Sequence, residues 1–469
     1  MKWRRMYTSA VFLTFIISII SFSSLGCQRA PEEESPQTYG HQQSVSSPAW
    51  AQQTILYEVF VRAFSEDGTF QKVTERLPEL KELGVETIWL MPIHPVGELG
   101  RKGTLGSPYS VRDYFAVNPE FGTEADLRRL VDRAHQLGLK VIIDWVANHS
   151  ANDHVEMGYH PGWFAQDEQG NFTREVADWW DVTDFNYDNT EMREYMKRAL
   201  LYWVQEFDID GYRCDVAGMV PEDFWVNVRS ALRKVKPGVF LLAEWEDPKM
   251  HLKQFDATYD WSLYHTLKSI RKGDGKAERA IDLVLEKEKE YPQGSLRMRF
   301  IENHDEQRAA KVFGLPGYQP FATFIFTQRG IPLLYAGQEA ADTVKPTLFD
   351  KVEVPWSDAN PAVTEFYKHL IDLRKDHSVF IHGKTIKIPT DRPSEIVAYA
   401  RVQKDQMAII ALNFSDKEFA STLRFPEELR KGVESRNFTT DKEKPIQLLS
   451  KPTYQMNFVP FESKVYLSQ

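Results

Sequence analysis

A regular alternation of short apolar runs with amphipathic segments constrains the fold of this chain more than any other feature. Each run has the length of one buried strand, and intervening segments such as 124–137 and 190–207 have the apolar spacing of helices. The strand-like runs are Ile55–Phe60, Thr87–Met91, Lys140–Val146, Asp210–Asp215, Val239–Glu244, Arg297–Asn303 and Ile331–Ala336, with a weaker one near Thr258–Trp261. This alternation predicts an α/β fold, a parallel (β/α)8 barrel of the TIM-barrel type.

Two regions depart from that alternation. The connection after the third run, residues 150–189, is far longer than an ordinary loop, which predicts a small subdomain inserted into the barrel. After residue 377 the apolar residues alternate with a period of two, which predicts a C-terminal antiparallel β-sandwich over residues 378–469. The barrel, with its subdomain, is therefore expected over residues 51–377.

Residues 1–26 have the features of an export signal. Basic residues precede the apolar stretch Val11–Ile20, which is too short for a comfortable membrane span. The segment resembles a bacterial lipoprotein signal that ends before Cys27, although Ser24 stands where such signals usually have leucine. This signal predicts an exported lipoprotein. The protein would be attached to the membrane through lipidated Cys27, at the periplasmic face or the cell surface. Plain secretion and an uncleaved membrane anchor are the alternatives. The polar, Pro- and Ser-rich residues 27–50 predict a flexible tether.

The charge and the cysteine content narrow the functional classes. A net charge of −10 gives no indication of nucleic-acid binding. The chain has two cysteines, so lipidation of Cys27 would leave Cys214 alone and no disulfide could form. We expect Cys214 to face the core and an exported protein of this length to rely on core burial for stability.

Carboxylates follow several of the predicted strands. Asp144 ends the third run, Asp215 the fourth and Glu244 the fifth, and Asp305 follows the seventh. In such barrels the catalytic groups lie at the carboxyl ends of the strands. A single carboxylate at a strand end would most simply be a helix cap or a solvated group. Burying several carboxylates close together costs free energy, so such a cluster indicates a function. Glycoside cleavage uses two carboxyl groups across the scissile bond.

The residues around these carboxylates suggest which carboxylate is the nucleophile and which is the general acid. Arg213 and Asp215 are two residues apart on one strand, so both face the same side, and the guanidinium should keep Asp215 ionised as a nucleophile requires. Glu244 precedes Trp245, and partial desolvation there would raise its pKa, as a general acid requires.

Four segments resemble the conserved segments of the α-amylase superfamily, glycoside hydrolase family 13. They read DWVANH at 144–149, GYRCD at 211–215, AEW at 243–245 and ENHD at 302–305, in the order of the family. The stretch Pro108–Tyr114 also resembles the tyrosine-bearing loop of the family. The resemblance extends from about Thr54 to the C-terminus. It implies a retaining α-glucan hydrolase that cleaves the α-1,4-glucosidic bonds of starch, glycogen or maltooligosaccharides through a covalent glycosyl-enzyme intermediate.

The resemblance also implies roles for individual residues. Asp215 corresponds to the nucleophile, Glu244 to the acid/base and Asp305 to the carboxylate that stabilises the transition state. The positions that correspond to substrate-binding groups are Arg213, His149, His304, Tyr109 and Asp144, the last of which holds the hydrogen-bond network. Tyr109 could alternatively belong to the core, and His149 could support the site from behind. We expect the subdomain tryptophans, Trp163, Trp179 and Trp180, to pack the subdomain rather than to bind sugar.

The chain departs from the α-amylase pattern near the nucleophile. Many α-amylases have Lys-His where this chain has Gly218-Met219, and residues 183–186 are closer to those of oligosaccharide-acting members. An α-glucosidase, a cyclomaltodextrinase or a glucanotransferase acting on short oligosaccharides therefore stays an alternative. A non-catalytic glucan-binding protein is a remote one, because all three carboxylates are present.

Calcium binding is a further implication of the resemblance, although the chemistry requires no cofactor. Asn148 and Asp184 match the positions that bind Ca²⁺ in α-amylases, and the backbone carbonyl of Met219 would complete part of the shell. Oxygen ligands suit such a hard cation. The alternative is that Asn148 and Asp184 hold the subdomain in place through hydrogen bonds alone.

Overall fold

The structure is a computed structural model that describes residues 38–404, 406–430, 438–439 and 452–468. The predicted signal at 1–26, the predicted lipid site Cys27 and residues 28–37 of the predicted tether lie outside the described residues. Within the ranges that are described, no helix is both long enough and apolar enough to cross a membrane.

Parallel strands close into the predicted barrel in chain order. The eight barrel strands are Leu56–Val59, Thr87–Leu90, Lys140–Trp145, Gly211–Cys214, Phe240–Ala243, Ala257–Tyr259, Leu296–Arg299 and Ile331–Tyr335. Nearly all their residues are buried, because one face fills the barrel interior and the other packs under helices. The carboxyl ends of all the strands open at the same mouth, so the polar residues that follow them meet there.

Helices surround the barrel. The longer ones are Phe70–Leu83, Glu124–Gln136, Thr190–Phe207, Glu222–Val235, Trp261–Lys272, Glu278–Glu290, Tyr318–Thr327 and Pro361–Asp376; four-residue helices are Ala309–Val312, Val379–His382 and Glu427–Arg430. The predicted helices at 124–137 and 190–207 are confirmed to within one residue. The first of these begins where Thr123 and Asp126 satisfy each other's backbone N–H groups, and its apolar residues are buried at helical spacing.

The inserted region after the third strand is held at its base by a short antiparallel strand pair. His149–Ala151 pairs with Val182–Asp184 in register. Between these strands, Phe164 stacks on Phe185 with ring centroids 5.3 Å apart, and the side chain of Trp163 is buried. The insertion therefore has a small aromatic core of its own next to the barrel mouth.

Residues 38–50, which belong to the predicted tether, lie against the barrel. The backbone N–H of Tyr39 donates to the carbonyl of Glu290 at 2.8 Å, and that of Ser44 donates to the carbonyl of Gln293 at 2.9 Å. The predicted tether therefore extends too far along the chain. The polar composition of these residues gave no sign of such contacts, because they are backbone hydrogen bonds to a distant segment.

The described part of the C-terminal domain is all-β, as predicted, apart from the short helices Val379–His382 and Glu427–Arg430. An antiparallel sheet contains Lys384–Lys387, Ile396–Gln403, Gln406–Asn413, Ser463–Ser468 and Phe438–Thr439, and a second sheet pairs Phe419–Arg424 with Thr453–Phe458. In the strand Ile396–Gln403, Val397 and Tyr399 pack on the barrel core, whereas Ile396 and Ala398 pack inside the domain. This sheet is therefore buried on both faces.

Candidate active site

One buried arginine joins the carboxylates at the barrel mouth. Arg213 on the fourth strand is fully buried, and its Nη1 donates to Asp144 Oδ1 at 2.8 Å and to Asp215 Oδ1 at 2.9 Å. Its Nη2 lies 2.9 Å from Glu244 Oε1. Alternation along the strand points Arg213 and Asp215 to the same side, as predicted, and strand pairing places Asp144 directly beside Arg213. The Arg213 guanidinium therefore contacts all three of these carboxylates, Asp144, Asp215 and Glu244.

Burial raises the pKa of both carboxyl groups on which the predicted chemistry depends, Asp215 and Glu244. Desolvation raises the pKa of Asp215 to about 6, even though Arg213 opposes the rise. Desolvation raises the pKa of Glu244 further, to about 7, with the same opposition from Arg213 and an added rise from Asp215 and Asp305. The raised pKa of Glu244 suits a general acid that must hold its proton near neutral pH.

His304 is held between Glu58 on the first strand and the pocket. Its Nδ1 forms an ion pair with the Glu58 carboxylate, and its Nε2 lies 2.7 Å from Tyr109 Oη and 3.3 Å from Asp305 Oδ2. Burial lowers the pKa of His304, but Asp305 and Glu58 outweigh that effect and raise it to about 9. The ring is therefore cationic at neutral pH and donates to Tyr109, whose hydroxyl donates to Asp144 at 3.2 Å.

Glu58 was missed in the sequence analysis, although a signal was present. It is a carboxylate in the middle of the apolar run Ile55–Phe60, and it is fully buried. An ionisable group inside a barrel strand needs a buried partner of opposite charge, and the histidine that follows the seventh strand supplies it.

His149 faces the nucleophile from the third strand's connection. Its Nε2 lies 4.0 Å from Asp215 Oδ2, and burial lowers its pKa to about 4, so the ring is neutral. On its other side, Asn148 Nδ2 lies 3.3 Å from His149 Nδ1 and donates to Asp184 Oδ1 at 3.3 Å. This network leaves the Nε2 proton of His149 directed toward the pocket.

The same contacts test the predicted calcium ligands. Asp184 Oδ1 accepts from Asn148, and Asp184 Oδ2 accepts from the backbone N–H of Glu175 at 2.7 Å. Both carboxylate oxygens are therefore engaged by donors, and among the described residues no cluster of three His, Cys, Asp or Glu side chains has the geometry of a metal site. These hydrogen bonds are the contacts that the hydrogen-bonding alternative requires, and calcium binding by Asn148, Asp184 and Met219 stays a prediction.

A pocket of about 290 Å³ opens over these groups. Its wall contains residues that the sequence analysis did not single out, namely Lys102, Ser107, Asp181, Val182, Val216, Leu348 and Phe349. Its floor and sides contain the predicted Tyr109, His149, Asp215, Glu244, His304 and Asp305. The buried Asp144 and Arg213 lie beneath it and act on the pocket through the groups they hold.

The tryptophans of the subdomain have three different environments. Trp163 is buried, as expected for packing, whereas Trp180 is 53% exposed. Trp179 lines the pocket, and its ring lies 5.1 Å from that of His149, so the packing prediction is wrong for this residue. Cys214 is buried in the core between the barrel and its helices, as expected.

The fold and the site agree with what comparison with known proteins gives. A model of the alpha amylase catalytic domain matches residues 55–180 and 159–355, which is more than half of the chain. The chain belongs to the alpha-amylase family. The predicted superfamily and the glycoside hydrolase class are thereby confirmed.

The chain is similar to two alpha-amylases and to a cyclomaltodextrinase. A noncanonic maltogenic alpha-amylase, AmyB from Thermotoga neapolitana, superposes with a TM-score of 0.83 and 35% identity over 89% of this chain and 99% of its own. Alpha-amylase MalA of Haloarcula japonica is 30% identical over 79% of this chain, which spans 57% of that relative's length. A cyclomaltodextrinase of Geobacillus thermopakistaniensis is 27% identical over 82% of the chain and 72% of the relative. These names agree with α-glucan hydrolysis and with the cyclomaltodextrinase alternative.

In this alpha-amylase family member, an exposed tryptophan lies beside Glu244. The indole of Trp245, which is 39% exposed, lies against Gly218, where a Cβ atom would come within 2.1 Å of the ring. Any larger residue at position 218 would displace the indole. The Gly218-Met219 departure from the Lys-His pattern therefore makes room for an aromatic ring next to the acid.

Proposed function

We propose that this chain is a retaining hydrolase of α-1,4-glucosidic bonds in maltooligosaccharides, starch or glycogen. The observation that carries the proposal is the single guanidinium of Arg213 that contacts both Asp215 and Glu244. Retaining glycosidases need their two carboxyl groups close together, about 5–5.5 Å apart, so that one attacks while the other protonates. Two carboxyl groups on one guanidinium, with the pKa of Glu244 raised by burial, support this mechanism.

In the first step Asp215 attacks the anomeric carbon of the glucosyl unit in the pocket. Glu244, still protonated, gives its proton to the glycosidic oxygen as the bond to the leaving chain breaks. The products are a glucosyl ester on Asp215 and a shortened chain with a free hydroxyl. Asp305, beside the cationic His304, lies in the pocket where its carboxylate can accept hydrogen bonds from the hydroxyls of the reacting sugar.

In the second step Glu244, now a carboxylate, takes a proton from water. The water oxygen attacks the anomeric carbon and Asp215 leaves, so two inversions give net retention. If the hydroxyl of a second sugar takes the place of water, the same intermediate yields transfer instead of hydrolysis.

The stereochemistry of the product tests this proposal directly. Proton NMR of maltoheptaose during the first turnovers should show the α-anomer of the new reducing end before mutarotation adds the β-anomer. Initial appearance of the β-anomer would exclude Asp215 as a nucleophile. The matched variant Asp215→Asn should give neither anomer, which also tests the non-catalytic alternative.

A second candidate is a hydrolase or glucanotransferase that acts on short oligosaccharides. The pocket supports it, because about 290 Å³ is at the lower end of the ~300–1,000 Å³ typical of small-molecule sites. Initial rates on soluble starch, maltotriose and β-cyclodextrin discriminate the candidates. Starch as the preferred substrate would favour a starch-degrading amylase, maltotriose an oligosaccharide hydrolase, and β-cyclodextrin a cyclomaltodextrinase.

We also propose that the protein is an exported lipoprotein anchored through Cys27, on the strength of its N-terminal sequence. Radiolabelled palmitate should enter the native protein and not Cys27→Ala. The native protein should sediment with membranes and the variant should be released from them. Membrane attachment of the variant, with no label in either protein, would instead support an uncleaved anchor.

A further inference from the structure

Three loops meet on one side of the pocket mouth. They are residues 97–106 after the second strand, 178–181 in the subdomain after the third, and 348–350 after the eighth. The backbone N–H of Leu105 donates to the carbonyl of Phe349 at 2.9 Å, and both the N–H and the hydroxyl of Thr104 donate to Asp350 Oδ1, at 2.9 and 2.7 Å. The first and last of these loops are therefore fastened to each other.

Lys102 fastens the subdomain loop to the other two. Its Nζ lies 2.9 Å from Asp181 Oδ1, donates to the carbonyl of Asp178 at 2.8 Å and lies 4.4 Å from the ring centroid of Trp180. The side chain of Asp181 is only 3% exposed, so the ion pair is shielded from water. The ammonium is fully engaged by these groups, which makes Lys102 a positioning residue rather than one that grips sugar.

The wall that these loops form stands opposite the acid. In the ring of eight strands, the fifth strand, which carries Glu244, lies four places from the first. The loops after the second and eighth strands flank the first strand, so Lys102 and Phe349 line the side of the pocket away from Glu244. Glu244 protonates the leaving oxygen and must lie on the leaving-group side. The wall is therefore on the side that receives the non-reducing end of the chain.

We propose that Lys102 closes this end of the pocket, so that the enzyme cuts α-glucans only near their non-reducing ends. The inference rests on the proposed function. A pocket of about 290 Å³ with a wall behind the reacting sugar has room for the terminal unit or two of a chain. The buried ion pair holds Trp179, Asp181 and Phe349 in place as that wall.

A linear substrate with and without a blocked end tests the closure. The full chain is assayed on p-nitrophenyl α-maltoheptaoside and on the same compound with a 4,6-O-ethylidene group on its non-reducing sugar, with all products separated chromatographically. The native enzyme should cleave the blocked compound about 100-fold more slowly, because the block clashes with the wall. Equal cleavage of the two compounds would overturn the proposal. Absence of cleavage of the unblocked compound would instead overturn the proposed function.

Variants of Lys102 test whether the ion pair makes the closure. Lys102→Ala should raise the ratio of blocked to unblocked cleavage by about tenfold or more, because the subdomain loop is no longer joined to the other two loops. The matched control, Lys351→Ala, removes an exposed lysine just beyond the same wall and should leave the ratio unchanged. A ratio in Lys102→Ala equal to that of the native enzyme would overturn the assignment of the closure to Lys102, whatever the absolute rates.

Discussion

At the residue scale, two carboxyl groups share one guanidinium, and the pH profile should report both of them. Asp215 must be ionised, so kcat/KM on maltoheptaose should fall as pH drops through about 6. Glu244 must be protonated in the first step, so kcat/KM should fall again as pH rises through about 7. The expected result is a narrow bell between these values. Activity that stays constant well above pH 7 would contradict Glu244 as the acid.

Variants of Glu244 and Asp215 should differ in how their activity depends on the leaving group of the substrate. Glu244→Gln should lower kcat on maltoheptaose by about 10²–10⁴-fold, because the leaving sugar is no longer protonated. On α-maltosyl fluoride the loss should be much smaller, since fluoride leaves without a proton. Asp215→Asn should abolish activity on both substrates and serves as the matched control. Equal losses of Glu244→Gln on the two substrates would contradict its role as the acid.

At the element scale, Asp184 fixes the base of the subdomain strands, and its contacts give a test of calcium binding. Asp184→Ala removes the acceptor of two hydrogen bonds and should lower the free energy of unfolding by about 1–3 kcal/mol. Because His149 is held through Asn148, KM should rise as well. Thermal unfolding monitored by circular dichroism, with steady-state kinetics, measures both effects.

The same Asp184 variant also tests whether the protein binds calcium. From the hydrogen-bonded geometry of Asp184 we expect Ca²⁺ and EDTA to leave the melting temperature of the native protein unchanged. Glu168→Ala, which alters an exposed carboxylate of the same insertion, is the control. A rise in melting temperature with Ca²⁺ in the native protein and the control, but not in Asp184→Ala, would support the calcium prediction.

At the scale of the whole molecule, the C-terminal sheet is a packing partner of the barrel. Phe414 at the end of one sheet strand stacks on Phe321 of the helix Tyr318–Thr327, with ring centroids 4.2 Å apart, and is 4% exposed. Phe414→Ala should therefore cost about 3–5 kcal/mol in the free energy of unfolding. Chemical denaturation checks this value, and Val459→Ala, at a site 53% exposed, should change little. A loss as small as in the control would mean that the two domains are energetically independent.

The same packing predicts the behaviour of a shortened chain. A protein that ends at residue 377 would expose Phe321 and Phe324, which the C-terminal sheet covers through Phe414 and Tyr399. Such an apolar patch favours aggregation. We expect the shortened chain to be insoluble, as measured by sedimentation after expression; a soluble and active product would show that the barrel folds without its partner.

The sequence by itself determined the strand order and the position of the three carboxylates. Strands and helices can be recognised in a sequence from the local periodicity of their apolar residues. The residue after a barrel strand lies at the barrel mouth, so Asp215, Glu244 and Asp305 could be placed there without a structure. The weaker sixth strand, predicted near Thr258–Trp261, lies at Ala257–Tyr259.

Only the tertiary structure decided which distant residues meet and what charge each one carries. The pairing of His304 with Glu58, the anchoring of residues 38–50 and the pairing of Lys102 with Asp181 all join segments far apart in the chain, and no local pattern encodes them. The rise in the pKa of Asp215 was likewise not foreseen, since Arg213 suggested the opposite. Burial opposes ionisation by an amount that depends on how much water the whole fold removes from the site, and that is a property of the assembled barrel.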